Sequence, residues 1–414
     1  MVATPNNPKP LNGLKVLDFC WVVAGPMVTK YLGEYGATVV RVESSKRPET
    51  LRRAAPFKGS SESINTSGYF ANYNTDKYGI TIDMRHPRAK DLILRAVEWA
   101  DLVTENFTPG TMERWGLGYE ELRAVNPKII MFSTSMLGRG GPMESQPGFG
   151  PVLSSLAGLT HITGWPDRDP VNPYGAYTDF IVPRFAVAAI VSGLDYRQRN
   201  GKGLHLDMSQ LEASIHFSAP FVLDCVVNDR EQGRQGNRDP GAAPHGVYPC
   251  SGEDMWVAIS VSSEDEWSAL CLAIGQPELT SDSRFGSVEA RLNNQEALDA
   301  IISSWTETQD HYQVMHLLQS QGIAAAPVVK GSEVIEDPHL ESRGFWDVVE
   351  HPEAGTYKQV TTPWLLSKSQ RGRSTPAPGL GEHNNLVLSG ILGLTQSEID
   401  TLGADGIIGD TPTE

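Results

Sequence analysis

One carboxylate, Asp179, stands between small residues and a long apolar stretch in "NPYGAYTDFIVPRFAVAAI", residues 172–190. An Asp shortly before a helix is commonly an N-cap. A carboxylate can also act as a nucleophile that attacks an activated acyl group and forms a mixed anhydride. The residue type and its position leave both interpretations open, so the rest of the chain has to decide between them.

The motifs of several other chemistries are missing. The sequence contains no H-E-x-x-H, G-x-S-x-G or G-x-x-x-x-G-K-[ST], and no G-x-G-x-x-G follows the first predicted strand. Zinc protease, serine hydrolase and P-loop functions therefore lack support. The ten histidines are scattered, and the cysteines lie far apart, at Cys20, Cys225, Cys250 and Cys271. We predict no metal site, no disulfide framework and four reduced core cysteines.

Composition and charge are those of a globular protein long enough for two domains. The chain has 414 residues, 40% of them hydrophobic, and a net charge of -16. This charge disfavours nucleic acid or an anionic membrane as partner, although a local basic patch could hold an anionic ligand. The N-terminus has no apolar signal-peptide core, and the run "FAVAAIVSGL" is about half of the ~20 residues that span a bilayer. We expect a cytoplasmic protein without a transmembrane helix.

Strand and helix patterns alternate along the first half of the chain. "LKVLDFCWV", "ATVVRVE", "DLVTENF" and "NPKIIMFST" are typical of strands, and helices are predicted from Gly25-Pro26 to Tyr35 and at "HPRAKDLILRAVEWA". Such alternation predicts an α/β fold with a Rossmann-like, mostly parallel sheet covered on both faces. Because ligands bind at the carboxyl ends of such strands, the site is expected near Val22–Gly25, Glu43 and Asn106-Phe107.

The chain after Asp179 predicts a buried helix with Pro183 in its first turn. "GLHLDMSQLEA" predicts a strand and then a helix that Ser209 and Glu212 open with a capping box. Near residue 230 the sequence becomes rich in Gly and Pro. We therefore predict a large domain over 1–228, a smaller α+β domain with its preceding loop over 229–335, and a linker with a return to the large domain over 336–414.

Several blocks, in this order, carry a resemblance to a known family. They are "PLNGLKVLDFCWVVAGP", "GATVVRVE", "NYNTDKYGITIDM", "ENFTPGTMERWGLGYEELRAVNPKII", "GAYTDF", "RQRNGKGLHLDMSQLEA", "APHGVYPC" and "PGLGEHNN". Over nearly its whole length the chain resembles the class III coenzyme A transferases, the CaiB/BaiF or formyl-CoA transferase-like family. The resemblance implies a large and a small domain joined by long linkers, in a dimer whose two ring-shaped subunits interlock. The partner subunit is a second copy or a paralogue.

The resemblance also implies a reaction. Asp179 matches the family's nucleophile, which takes CoA from an acyl-CoA through an aspartyl anhydride and an aspartyl-CoA thioester and passes it to a free acid. Gly246 matches a loop whose backbone N–H groups face the developing oxyanion and exclude water. Acyl-CoA and a carboxylic acid are then substrates, and no permanently bound cofactor is expected. Succinyl-CoA is the expected donor, with an aromatic or branched acid as acceptor.

Residues that match the family's binding blocks fall into two groups. For CoA they are Val22 and Ala24 at the thiol end, Lys77 and Arg114 at the phosphates, Asn106 and Phe107 at the nucleotide, and Arg41 as a further candidate. For the acyl group they are Trp21, Val23, Leu137, Phe149 and His245. Any of these cations could instead be a solvated surface charge, and Phe107 could be a core residue. The apolar lining predicts a bulky or hydrophobic acyl group, since some relatives carry Gln at the position of Val23.

Three related functions compete with transfer between two acids. An α-methylacyl-CoA racemase needs a His beside an Asp, and such relatives read "GHD" where this chain has Gly148-Phe149-Gly150, which disfavours racemisation. Intramolecular CoA transfer, an isomerase reaction, would use the same Asp179. A non-catalytic subunit of a hetero-oligomeric transferase would not need that residue.

Overall fold

The computed structural model describes residues 9–59, 63–369 and 374–413. The chain forms two compact units, the first made of Met1–Thr160, Asn172–Glu231 and Leu340–Glu414, the second of His161–Val171 and Gln232–His339. The second unit thus includes 161–171, which the sequence analysis assigned to the large domain. The expected absence of a signal peptide depends largely on residues 1–8, which lie outside the described residues.

The first unit is built on a six-stranded parallel sheet. Its strands are β1 (Lys15–Asp18), β2 (Thr38–Glu43), β3 (Lys77–Thr81), β4 (Leu102–Glu105), β5 (Ile130–Ser135) and β6 (Leu204–Ser209), in the order β3-β2-β1-β4-β5-β6. The chain moves outward from β1 to β3 and then in the opposite direction from β4 to β6. The order therefore reverses between β1 and β4, and a crevice for a ligand opens where the order of such a sheet reverses.

Two further sheets are antiparallel. In the second unit β7 (His245–Pro249), β8 (Trp256–Ser260) and β9 (Ala324–Val328) form a three-stranded sheet, with β8 in the centre. In the first unit β10 (Trp346–His351) pairs with β11 (Gly355–Val360). The end of this hairpin is attached to the first helix, because the Lys30 ammonium donates to the Val360 carbonyl at 2.8 Å and Glu34 accepts the N–H of Thr362 at 2.9 Å.

Helices connect and cover these sheets. In chain order they are α1 (Ala24–Glu34), α2 (Gly68–Tyr73), α3 (Ala89–Trp99), α4 (Thr111–Arg114), α5 (Tyr119–Val125), α6 (Gly150–Leu156), α7 (Leu159–Ile162), α8 (Tyr177–Asn200), α9 (Gln210–Asn228), α10 (Glu264–Ala273), α11 (Val288–Asn293), α12 (Gln295–Thr306), α13 (His311–Ser320), α14 (Gly331–Glu336), α15 (Pro338–Ser342), α16 (Asn384–Gly390) and α17 (Gln396–Ala404), with 3₁₀ turns at Thr50–Arg53 and Pro277–Ser281. The Ser209 hydroxyl caps α9 by accepting the N–H of Glu212 at 3.2 Å, which is one of the two bonds of the predicted capping box.

Both faces of the parallel sheet are covered, as the sequence predicts. Leu17 and Val103 point to one face and pack with α3, α16 and α17, whereas the alternate residues Val16 and Leu102 pack on the other face with α1 and α8. Fully burying one such side chain contributes about 1.5–3 kcal/mol. The sheet is thus held rigidly from both sides, and the predicted α/β fold with a parallel sheet is confirmed.

Two predictions about burial are wrong. Cys225 is exposed, whereas the other three cysteines are buried. Helix α8 is also not buried all round, because Phe185, Val191 and Tyr196 are exposed. In the described chain α8 is long and apolar enough to cross a membrane by length and composition, and 39% of its most apolar window is buried. A core helix of a soluble protein meets the same criterion, so this finding is weak evidence for a membrane span.

Candidate active site

Asp179 lies in a cavity of about 350 Å³ in the first unit. The cavity opens at the carboxyl ends of β1, β4 and β5, where the reversal of strand order leaves room. Eight of the predicted site residues line it: Trp21, Val22, Val23, Ala24, Asn106, Phe107, Phe149 and Asp179. The fold therefore brings together segments that are up to about 160 residues apart in the sequence. The strand-end argument accounts for the part of this wall from Val22 to Ala24 and at Asn106 and Phe107.

Asp179 is not the N-cap of its helix. Helix α8 begins at Tyr177, its N-cap is Ala176, and no side chain caps it. Asp179 occupies the first turn, where its N–H donates to the Ala176 carbonyl at 2.9 Å. Its side chain is buried, and this burial raises the pKa of Asp179 to about 6. The cap interpretation is excluded, and a poorly solvated carboxylate that is ionised at neutral pH remains.

Close packing fixes the turn that carries Asp179. A Cβ at Gly150 would lie 2.6 Å from the Cβ of Ala176, so only glycine allows α6 to approach this turn so closely. The Thr178 hydroxyl donates to the Gly150 carbonyl at 3.2 Å and is itself buried. Pro183 lies inside α8 and not in its first turn as predicted, and it has no N–H to donate to the Asp179 carbonyl four residues earlier.

The loop after β1 forms the wall opposite this turn, and side chains hold its backbone. The Asn106 side chain makes two hydrogen bonds to the backbone of Trp21. Its Oδ1 accepts the Trp21 N–H and its Nδ2 donates to the Trp21 carbonyl, both at 2.8 Å. The Val22 N–H donates to Glu49 at 3.1 Å. Val22 has φ of 69°, a left-handed conformation that is costly for a β-branched residue. The surrounding hydrogen bonds therefore maintain a strained backbone beside the cavity.

Arg41 supports this loop from beneath. The side chain is fully buried, donates to the Cys20 carbonyl at 2.5 Å and to Glu49 at 3.1 Å, and lies 3.5 Å from Glu43. Burial and the Arg52 and Arg41 charges act in opposite directions on Glu43, and the charges lower its pKa to about 2. The predicted contact between Arg41 and CoA does not fit this burial. Arg41 instead holds the strained loop in place.

Lys77 is also buried beneath the loop. Its ammonium donates to Asp18 at 3.2 Å, to the Pro26 carbonyl at 2.9 Å and to Asn74 at 3.1 Å, which uses all three of its protons. Burial lowers the pKa of Lys77 to about 8, despite the attraction of Asp18. The predicted phosphate contact of Lys77 does not fit this arrangement, because a phosphate would have to displace a buried partner.

A second cavity of about 420 Å³ shares part of its wall with the first. Trp21 and Phe107 line both cavities, and their rings meet edge to face at 5.9 Å between centroids. Arg114, Arg47 and Arg85 line the second cavity. In the described residues Arg114 donates to the Thr111 hydroxyl at 2.8 Å, whereas Arg85 pairs with Asp83 at 3.0 Å. Guanidinium groups at one end and a buried carboxylate at the other suit a long substrate with phosphates and an acyl group.

Three predicted site residues lie elsewhere. Leu137 is half-buried outside the cavity, and its neighbour Met136 lines the wall instead. His245 and Gly246 lie on β7 of the second unit, where the His245 ring contacts the Asn237 carbonyl at 2.6 Å. Their roles at the carboxylate stay a prediction.

Polar residues that sequence reasoning missed also line the cavity that contains Asp179, called the acyl cavity below. They are Arg47, Thr50, Thr108, Ser135, Glu144, Gln146 and Gln210. Ser135 ends β5 and Gln210 follows β6, so the strand-end argument could have found both of them. Thr50 begins a 3₁₀ turn, and the others lie in loops without periodic pattern, where the sequence carries no comparable signal.

Comparisons with known proteins show the family of this chain. A family model for CoA-transferase family III matches residues 11–384. The succinyl-CoA–D-citramalate CoA-transferase of Chloroflexus aurantiacus is 32% identical over 97% of this chain and 98% of the relative. The human succinyl-CoA:glutarate CoA-transferase is 28% identical over 97% of this chain and 91% of the relative. A CaiB/BaiF family protein from Brucella suis has a TM-score of 0.85 at 29% identity, covering 93% of this chain and 100% of that structure.

The chain therefore belongs to CoA-transferase family III. It is an enzyme of the CoA-transferase type, and CoA thioesters are its substrates.

Proposed function

We propose that this transferase moves CoA from succinyl-CoA to a dicarboxylic acid, with Asp179 as the nucleophile. The observation that carries this proposal is the buried Asp179 carboxylate in the wall of the first cavity. This cavity adjoins a second one that is lined by three arginines and two acidic residues, namely Arg47, Arg85, Arg114, Glu43 and Asp83. Two relatives that align with nearly the whole chain are named for succinyl-CoA and a dicarboxylic acid, D-citramalate in one and glutarate in the other. The donor agrees with the sequence-based expectation, whereas the acceptor differs from it.

The proposed chemistry has four balanced steps. An Asp179 oxygen attacks the thioester carbonyl of succinyl-CoA, the C–S bond breaks, and the CoA thiolate leaves a mixed anhydride. The thiolate then attacks the carboxyl carbon of Asp179, the anhydride C–O bond breaks, and succinate departs from an aspartyl-CoA thioester. The acceptor carboxylate attacks that thioester and releases the thiolate. The thiolate finally attacks the acceptor's carbonyl, and the Asp179 carboxylate is restored.

The described residues contribute position and environment to these steps. Burial leaves the Asp179 carboxylate poorly solvated, so little hydration has to be removed before it attacks. Trp21 and Phe149 supply apolar surface to the cavity wall, with Phe149 67% exposed in this chain. Arg47 lines both cavities and is the cation that we assign to the distal carboxylate of a dicarboxylic acid. The oxyanion donors that the family resemblance assigns to the backbone around Gly246, which belongs to β7 in this structure, stay a prediction.

Racemisation has little support in this cavity. Phe149 stands where the racemase relatives carry a His, and none of the described residues that line the acyl cavity is a histidine. A proton acceptor on the second side of the α-carbon is thus missing from the described wall. Intramolecular CoA transfer would form the same covalent intermediate. It differs only because the reaction needs no added acid.

The decisive experiment is mass spectrometry of the covalent intermediate. Incubation with succinyl-CoA and no acceptor is expected to add the mass of CoA, less one water, to the peptide that contains Asp179, and hydroxylamine should trap the same carbonyl. The Asp179→Ala variant should bind CoA but show neither the adduct nor transfer. An active wild-type enzyme without adduct, or an Ala variant within tenfold of the wild-type rate, would refute the mechanism. A screen of dicarboxylic, aromatic and branched acids then identifies the acceptor.

We further propose that the enzyme is a cytoplasmic dimer, with a second copy or a paralogue as partner. The support is an apolar face on α9, where Phe217, Leu223, Val226 and Val227 are each more than half exposed. Monomeric proteins rarely leave an apolar patch of this kind uncovered. Interlocking of the two subunits remains the family-based expectation.

A further inference from the structure

The long loop between β5 and α6, residues 136–149, is held by one ion-pair cluster. It supplies Met136, Gln146, Gly148 and Phe149 to the wall of the acyl cavity. Short turns fold the loop on itself. One backbone hydrogen bond connects its first residue to α9, because the Leu211 N–H donates to the Met136 carbonyl at 3.0 Å. Among the described residues the loop is also attached through Gly138, whose N–H donates to the Ser135 hydroxyl at 3.1 Å, and through the residue beside it, Arg139.

Arg139 reaches carboxylates on three different elements. Its guanidinium donates to Glu113 at 2.6 Å and to Glu105 at 3.1 Å and lies 3.7 Å from Asp207. Its backbone N–H also donates to Asp207, at 3.1 Å. The three carboxylates belong to α4, the end of β4 and β6 respectively. One side chain therefore connects the loop to three elements, and its planar fork suits this better than a lysine.

Each of these elements carries part of the substrate site. Glu105 also accepts the Phe107 N–H at 2.8 Å, and Phe107 lines both cavities. Glu113 is adjacent to Arg114, which lines the second cavity. Glu105 is almost fully buried, and burial raises its pKa although Arg139 opposes this effect. In the described part of the chain Arg139 is the cation that pairs with Glu105, so its loss would leave this buried carboxylate without a counter-charge there.

We propose that Arg139 is a positioning residue that holds the wall of the acyl cavity, Phe107 and Arg114 in one arrangement for CoA. It touches no reacting atom in this role and acts through the loop, Glu105 and Glu113. The inference rests on the proposed function, because the arrangement matters only if acyl-CoA occupies the two cavities. Release of the loop would also admit water to the aspartyl-CoA thioester, which water hydrolyses to the Asp179 carboxylate, free CoA and a proton.

The chain offers a matched control in Arg197. Its side chain is 22% exposed, as is that of Arg139, and it pairs with Asp101, just before β4, at 2.7 Å. Asp101 precedes the strand that Glu105 ends, so Arg197→Gln removes a comparable ion pair from the opposite end of β4. The test compares Arg139→Gln, Arg139→Lys and Arg197→Gln in the full-length enzyme, with succinyl-CoA and glutarate as substrates and CoA alone in calorimetry.

We expect Arg139→Gln to raise the Kd of CoA and the KM of succinyl-CoA at least tenfold, and to raise hydrolysis relative to transfer at least fivefold. Arg139→Lys should recover part of each change, and Arg197→Gln should stay within twofold of wild type at a comparable Tm. The inference would be overturned if Arg139→Gln kept the wild-type Kd of CoA and the wild-type ratio of hydrolysis to transfer. It would also be overturned if Arg139→Gln and Arg197→Gln changed these quantities equally.

A second variant covers the case in which Arg139→Gln does not fold. Glu113 is 44% exposed, so Glu113→Gln removes one contact of Arg139 and buries no lone charge. We expect it to raise the Kd of CoA about threefold, and an unchanged Kd and partition would overturn the inference. A wild-type enzyme that binds CoA but forms no Asp179 adduct would instead refute the proposed function, while the CoA calorimetry still tests the role of Arg139.

Discussion

The raised pKa of Asp179 predicts both the pH dependence of activity and a measurable cost in stability. Burial raises this pKa to about 6 from an ordinary value of 3.8. Only the ionised form attacks a thioester. At pH 5 about one tenth of the enzyme would then be ionised at Asp179, whereas with an ordinary pKa about nine tenths would be. We expect kcat/KM for succinyl-CoA to fall about tenfold per pH unit below pH 6.

The same shift works against folding at neutral pH. The pKa of Asp179 is higher in the folded chain than in the unfolded chain, so folding favours the protonated acid. The cost that the ionised carboxylate adds to the free energy of folding is therefore absent below about pH 4 and complete above about pH 6. A shift of roughly two units corresponds to about 3 kcal/mol. Asp179→Asn removes the charge, so we expect this variant to be more stable than wild type at pH 7.5 by up to about 3 kcal/mol, and equally stable near pH 4.

Urea unfolding of both proteins at pH 7.5 and pH 4, followed by tryptophan fluorescence, measures this difference, and initial rates at low succinyl-CoA measure the acid limb. The value of 3 kcal/mol is an upper limit, because a buried Asn amide also has to find hydrogen-bond partners. An acid limb centred near pH 4, or an Asn variant no more stable than wild type at pH 7.5, would refute the reasoning from burial.

Two further predictions concern packing and assembly. Gly150→Ala places a Cβ against Ala176 and should shift the turn that carries Asp179, so we expect kcat to fall roughly tenfold or more. Gly141 has open space around it, so Gly141→Ala should leave kcat unchanged. Equal kcat values in the two variants would contradict the packing argument. Sedimentation equilibrium should give a dimer, and Val226→Glu should weaken it, whereas Val348→Glu at another exposed position should not. A folded wild-type monomer at micromolar concentration would contradict the dimer.

The sequence predicts the fold and part of the cavity wall from the positions of the strand ends. Residues after β1 and β4 lie together once the strands are parallel, whatever the loops do. Residue type does not reveal what a charge pairs with in the folded chain. Lys77 and Asp18 are 59 residues apart, and their pairing became visible only with the register of the sheet. For the same reason, residue type did not reveal that Arg41 and Lys77, two of the cations assigned to CoA, are buried and paired in the folded chain.

Loops limited the prediction in the same way. Phe149 could be assigned to the cavity from a family block, but Arg47 and Gln146 belong to segments with neither period nor motif. The N-terminal end of α8 was placed too late, because Pro183 is typical of a first turn and here lies inside the helix. That small error in the boundary decided whether Asp179 was read as a cap or as a residue of the first turn.

The distribution of the chain between the two units has a consequence for synthesis on the ribosome. The second unit draws mainly on Gln232–His339, one continuous stretch, whereas one face of the parallel sheet is covered by residues as late as Val387, Leu392 and Leu402. A growing chain emerges N-terminus first, so this face of β1 and β4 is covered by α3 and α5 but not by the C-terminal helices until these late residues appear. A chaperone that binds apolar nascent segments can therefore reach the incompletely covered sheet until the end of synthesis.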